Sequence, residues 1–248
     1  MQFDEKWSFV AKKEDHVAPG DPPAWGDAWD HTAVDPEHRL LLAVVPGKRT
    51  LENCQTIVQE VKGRTGGRTD LLLTSDAHAP YSTAIEDAYH QLVPVPRRPG
   101  PGRPPNPKRM MPTDLCYATV CKRRANGRVV EVTRTLVFGL ACVLAWWLGR
   151  SKVSRQINTA FVERHNGTDR RQNSRKQRKT YGFSKDGETH NAVTYFIGYS
   201  YNFCWPVKTL ELKAEAGRRQ PRTPAMAAGL ADHVWTLQEW LTYPAKPC

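Results

Sequence analysis

The chain has no dense cysteine framework, no apolar run long enough to cross a bilayer, and no apolar leader at its start. Its six cysteines, Cys54, Cys116, Cys121, Cys142, Cys204 and Cys248, are scattered, unlike the regular spacing of small secreted disulfide proteins, so reduced thiols in a cytoplasm are expected. The close pair Cys116 and Cys121 has no second Cys or His pair beside it, which argues against a structural zinc site. The most apolar stretch, TLVFGLACVLAWWLG (135 to 149), falls short of the roughly 18–20 residues of a membrane span and has basic residues on both sides. It reads instead as a buried strand running into a buried helix. MQFDEKWSFVAKK lacks the continuous apolar core and cleavage site of a signal peptide, so secretion is not expected.

What the chain has in excess is positive charge. A formal net charge of +11 and a pI near 9.5 favour a polyanionic partner such as nucleic acid, through phosphate neutralisation and counterion release. Basicity alone leaves DNA, RNA and an anionic membrane open. A length of 248 residues with 40% hydrophobic content suits one sizeable core with elaborations, or two small domains.

QFDEKWSFVA reads as a strand with acids near its start, and WDHTAV and HRLLLAVV as two more joined by the turn Asp35-Pro36-Glu37, together an antiparallel meander. TLENCQTIVQEVKGRTGG is an amphipathic helix with Cys54, Ile57, Val58 and Val61 on one face, stopped at Gly66-Gly67. DLLLTSD is a nearly continuous apolar strand ending in Asp76, and STAIEDAYHQL is a second helix. PVPRRPGPGRPPNPKRMM is proline-rich and basic, an excursion from the core; its GPGRPPNPKR faintly resembles a minor-groove hook. RVVEVTRTLVFG alternates as a strand, LACVLAWWL suits a short buried helix, and Asn158 is the expected cap of a helix carrying Phe161, Val162 and Glu163, weakened at Asn166-Gly167. Ala192, Tyr195, Phe196 and Tyr199 form a helical stripe expected in the core. A last helix is capped by Thr223, starts at Pro224 and holds Leu230, Val234, Leu237 and Leu241 in register, packing on the domain.

A meander, a helix, a fourth strand ending in an acid, and a later helix bearing another acid is the order of an α/β RNase H-like core, a mixed sheet flanked by helices. Acids far apart in sequence converge in such a core, and here they would be Asp4, Asp76 and Glu163. Clustered carboxylates repel one another unless a cation neutralises them. Two Mg²⁺ ions, hard and oxygen-seeking, suit that role, one activating the attacking oxygen and the other stabilising the leaving oxygen of a phosphodiester displacement. No Ser, Cys or His nucleophile is required. His78, two residues after Asp76, is a candidate orienting group or a plain loop histidine.

DEKWSFV, TSDAHAPY and FVERHNGTDRRQNSRKQRKTYGFSKD, in that order, resemble the DDE transposases of bacterial insertion sequences, the insertion-sequence-one family and its relatives in particular. The likeness extends over nearly the whole chain, including HNAVTYFIGYSYNFCWP and TPAMAAGLADHVWTLQEWL. It implies Asp4, Asp76 and Glu163 as catalytic, metal-binding acids, with Mg²⁺ or Mn²⁺ as cofactor. It also implies DNA contacts from Arg164, His165, Arg170, Arg171, Arg175, Lys176, Arg178 and Lys179. The choice of Asp4 over Glu5 rests on the resemblance, because the two alternate faces of one strand. The implied organisation is a catalytic domain over residues 1–204, with the basic insertion at about 92–127, and a C-terminal extension over 205–248. The implied function is cleavage at element ends and strand transfer into target DNA, by a homo-oligomer in a bacterial cytoplasm at the nucleoid. Because the chain opens on the strand with the first acid, the alternatives are a truncated or decayed copy that binds DNA without cutting, and an RNase H-like nuclease that never joins.

Overall fold

Strand β1 (Gln2–Val10), strand β2 (Gly26–Asp35) and strand β3 (Leu40–Gly47) form the expected antiparallel meander, with Asp4 opposite Thr32 and Lys6 opposite Asp30. The β2–β3 turn is closed by Asp35, whose Oδ1 accepts the Glu37 N–H at 3.0 Å, a local bond that short acidic side chains make readily. The structure, a computed structural model, describes residues 1–96, 103, 105–213 and 218–244. The chain is α/β and divides into two units, one of Gln2–Arg49 with the residues from Ala160 onward, the other of Thr50–Thr159 with Met1.

The second of these units contains helix α1 (Leu51–Arg64), strand β4 (Leu72–Asp76), helix α2 (Ala79–Tyr89), the short strands β5 (Gln91–Val93) and β6 (Lys108–Met110), strand β7 (Cys116–Ala125), strand β8 (Arg128–Phe138) and helix α3 (Ala141–Arg150). Thr50 caps α1 by accepting the Asn53 N–H at 3.3 Å, and Cys54, Ile57, Val58 and Val61 are buried as their spacing predicts. Strand β4 runs parallel to β7, and β7 antiparallel to β8, so the pairing is mixed. Asn126-Gly127, with φ of 50° and 74°, makes the tight β7–β8 turn that needs two left-handed residues. Part of the proline-rich connection, including most of the hook-like GPGR, lies outside the described residues.

The apolar 135–149 stretch departs from expectation. Strand β8 is exposed along most of its length, and α3 contains no fully buried residue. The Leu144 and Leu148 side of α3 packs inward, against Ala118, Val120 and Ile157, while Trp146 stays 53% exposed. An edge strand and a helix with one supporting layer cannot be covered on both sides, whatever their composition.

The first unit is completed by helix α4 (Ala160–Gln172), helix α5 (Gly187–Cys204), the strand pair β9 (Leu212–Lys213) and β10 (Arg219–Gln220), and the short helices α6 (Pro224–Ala227) and α7 (Leu237–Thr242). Helix α4 starts two residues after Asn158 and runs through Gly167 without a break. On α5 the expected core stripe is met only at Tyr199, which packs on Val34, Leu41, Val44 and Val162; Ala192 is exposed, Tyr195 and Phe196 are 42% and 39% exposed, and the buried face is His190, Thr194, Gly198, Tyr201 and Asn202. At Gly198 the Leu41 side chain comes so close that an added Cβ would lie 2.9 Å from it, so α5 lies against β3 through its smallest residue. The predicted last helix is split after Ala228, where Gly229 adopts φ +73°, and Leu230, Leu237 and Leu241 point to solvent. Among the described residues, no helix is long and apolar enough to cross a membrane.

Two glycines test these backbone arguments. Gly139 sits at φ +98°, and an added Cβ would lie 2.5 Å from the Leu115 carbonyl oxygen. Gly139→Ala should destabilise the protein by about 1–3 kcal/mol in urea denaturation. Gly167, mid-helix with open space around it, should give the opposite sign, a gain of about 0.5–1 kcal/mol on replacement by Ala.

Candidate functional site

Alternation along β1 and β2 puts Gln2, Asp4, Lys6 and Ser8, with Asp30 and Thr32, on one face, and α4 and α5 cover it. A polar strand face is ordinarily the wet one. Here it is dry, with Lys6 3% and Asp30 0% exposed. Gln2 Oε1 accepts the N–H groups of Phe161 and Val162 at 3.0 and 3.1 Å, satisfying donors at the start of α4 that the helix itself cannot. Asn166 Nδ2 donates to Asp4 Oδ2 at 2.8 Å, and Asn166 Oδ1 accepts from Thr32 Oγ1 at 3.2 Å. Lys6 Nζ pairs with Asp169 and, at 3.1 Å, with Asp30.

After α4 a single 3-10 turn, Ser174–Lys176, capped by Asn173, swings Lys176 inward to pair with Asp30 and donate to Thr194 Oγ1. Two buried ammonium groups therefore face two buried carboxylates. Burial would raise the Asp30 carboxyl, but Lys176 and Lys6 outweigh it and hold it well below the usual range. Burial lowers Lys6 to about 8 against the opposing pull of Asp30, and it lowers Lys176 as well. His190 contacts Ser184 Oγ at 2.8 Å and Ser8 Oγ at 3.4 Å, and burial, reinforced by Lys176, lowers it to about 4.

The acids fall as follows. Asp4 is half-buried and faces α4, whereas Glu5 points to the other strand face, where Arg49 holds its Oε2 at 2.9 and 3.1 Å. Glu163 is exposed in the first turn of α4. Its neighbours at i+3 and i+7 are Asn166, bound to Asp4, and Arg170, whose charge Asp4 favours although burial lowers its pKa overall. Strand acid and helix acid thus belong to one flank of α4. Asp76 belongs to the other unit, at the C-terminal end of β4, where its Oδ1 accepts the His78 N–H at 3.1 Å. Beside it the buried Ser75 hydroxyl lies 2.8 Å from the Tyr117 hydroxyl. As hard oxygen donors, these three carboxylates are the type that suits Mg²⁺ or Mn²⁺.

The basic run does not act as one surface. Arg164, Arg171, Arg178 and Lys179 are exposed, and Arg170 and Arg175 half-buried. Lys176 is a buried counter-ion of Asp30. His165 is buried against the Tyr201 ring, centroids 4.8 Å apart, and burial lowers its pKa to about 3, so it is a neutral interior residue. The residues that sequence reasoning missed are Lys6, Asp30, Asp169, His190 and Thr194. Their one signal is the alternation of polar residues along β1, which gives two faces without saying which one is dry.

Lys176→Gln should cost about 3–5 kcal/mol in urea denaturation, because Asp30 would be left buried beside too little positive charge. Arg178→Gln, on the surface, should stay within about 0.5 kcal/mol. Between pH 6.5 and about 4 the unfolded chain protonates His190 while the native fold does not, so stability is lost as pH falls through that window. Thermal melts across it should show the loss, and His190→Gln should flatten the slope.

Compared with family models, curated proteins and solved structures, the chain matches none.

Proposed function

We propose that the chain is the catalytic region of a DDE transposase with an RNase H-like fold, cleaving phosphodiesters at DNA element ends and joining the freed 3′-hydroxyl to target DNA. Asp4, Asp76 and Glu163 are the assigned acids, and the working form is a homo-oligomer holding two ends in a bacterial cytoplasm at the nucleoid. The observation that carries the reading is the Asn166 bond to Asp4, one turn after Glu163. It joins Asp4 to the flank of α4 on which Glu163 stands one turn earlier, and this supports the reading.

Bound Mg²⁺ or Mn²⁺ would neutralise the carboxylates and polarise the reacting oxygens. The chain's own residues do the positioning. Asn166 fixes the Asp4 carboxylate through Oδ2 and is itself held by Thr32. Arg170 brings positive charge to the same flank, suited to a phosphate. The His78 N–H orients Asp76 through Oδ1. Arg164, Arg171, Arg178 and Lys179 supply exposed positive charge to the DNA backbone.

Glu163→Gln, Asp4→Asn and Asp76→Asn should each reduce metal-dependent nicking of oligonucleotide ends by at least about 100-fold, the scale for losing a directly engaged catalytic group. Circular dichroism and DNA binding should be unchanged. Full activity in Glu163→Gln would sink the assignment. Wild-type protein that binds DNA but shows no metal-dependent cleavage would be the decayed copy, and nicks without joined products would mark a nuclease.

A further inference from the structure

Helix α4 has a second flank. Successive helical residues turn by about 100°, so Phe161, Arg164 and Arg171 project to a different side of α4 from Glu163, Asn166 and Arg170. That side forms one wall of a cleft of about 700 Å³, closed on the other by the end of α5 and the segment after it, with Trp205 and Lys208. The volume falls within the roughly 300–1,000 Å³ of small-ligand sites.

Two properties of the lining point to the occupant. Its charge has one sign: Arg39, Arg164, Arg171 and Lys208 contribute, and among the described residues no carboxylate lines the cleft. The acids that favour the charge on Arg39, Asp35 and Glu37, stand in the β2–β3 turn outside it, while Arg164 lies near enough to Arg39 to oppose that charge. Like charges gathered without a counter-charge are a site for an anion. The second property is aromatic. The Arg39 guanidinium already covers Phe161, 4.2 Å from the ring centroid, but Trp205 is 47% exposed and, among the described residues, stacks on no other ring.

We propose that this cleft binds a single-stranded segment of nucleic acid, with consecutive phosphates against Arg164, Arg171 and Lys208 and one unpaired base stacked on Trp205. An open aromatic face beside a row of cations is what a flexible strand uses and a duplex, with its bases covered, does not. The site lies on a different flank of α4 from Glu163; it rests on the proposed DNA contacts of Arg164 and Arg171 and adds Lys208 and Trp205 to them, but it does not require the catalytic acids.

The test is fluorescence anisotropy of a labelled oligothymidylate with the full chain in EDTA, so that cleavage plays no part, beside a duplex of equal length. Arg164→Gln/Arg171→Gln should weaken single-strand binding at least 10-fold and lower the slope of log K against log salt by about 1.4, at about 0.7 per phosphate contact. Trp205→Ala should weaken it roughly 10-fold with no change in that slope, and Trp205→Phe should restore most of the loss. Arg124→Gln/Arg128→Gln, which removes the same charge from the exposed β7–β8 hairpin, should change it less than 2-fold. Equal weakening by the cleft and hairpin pairs, an unaffected Trp205→Ala, or a Trp205→Ala loss as large on duplex as on single strand would overturn the proposal. Thermal melts identify any variant that fails to fold; if Trp205→Ala does, Trp205→Leu takes its place. Because the assay contains no divalent metal, its outcome is separate from that of the nicking experiments.

Discussion

An ammonium group removed from water must face a carboxylate, and the unit containing β1 is built around two such groups. Lys6 and Lys176 share Asp30, and Asp169 completes the set. Each ion costs several kcal/mol to desolvate, so the cluster is tolerable only with all its members in place. That requirement ties together β1, β2, α4 and the turn after α4. It also sets the register of helix on strand. Gln2 meets Phe161 and Val162, Asp4 meets Asn166, and Lys6 meets Asp169. Two strand residues advance about 6.6 Å and three to four helical residues about 4.5 to 6 Å, so each step along β1 is matched by roughly one turn of α4. Glu163 lies between the first two of these rungs, and its place relative to Asp4 follows from a charge cluster it does not belong to.

The interface also explains which features could be read from the letters. Local patterns were enough for the meander, for α1 with its Thr50 cap and Cys54, Ile57, Val58 and Val61 face, and for β4 ending at Asp76. Those depend on turn chemistry and periodicity, which are properties of short segments. Side assignment is not such a property. Polar alternation in β1 and the aromatic stripe of α5 have the right periods, but in β1 the polar face is buried as well as the Phe3 and Glu5 face, and in α5 only Tyr199 of the stripe packs on the core. Once Gln2, Asp4, Lys6 and Ser8 faced inward, α5 had to meet them with His190 and Thr194, and Tyr195 and Phe196 were left outside.

The candidate site was legible in a similarly uneven way. The order of the motifs drew attention to Asp4, Asp76 and Glu163, which composition alone would have passed over. The same stretch gave no sign that Lys176 and His165 are interior, because that depends on a 3-10 turn after α4 and on the Tyr201 ring. A polar face buried inside a domain breaks the ordinary rule of burial, and such breaks concentrate where a fold carries function. Asp4 sits on the face where the rule is broken, which is a physical reason to look there independent of any resemblance.

Read as letters, ERHNGTDRRQ is one uniform run of charge. As a helix it is three surfaces. Asp169 turns inward to Lys6, Glu163 and Arg170 share the flank that Asn166 joins to Asp4, and Arg164 and Arg171 line the cleft beside Trp205. The inward contact costs desolvation and fixes the helix; the other two then need no flexibility of their own to stay a constant angle apart. Under the two proposals, a strand with its phosphodiester on the acid flank would meet the cleft arginines by following the helix surface around. Holding a substrate on two sides of one rigid element limits its motion more than either contact alone, because the second contact forms at high effective concentration once the first is made.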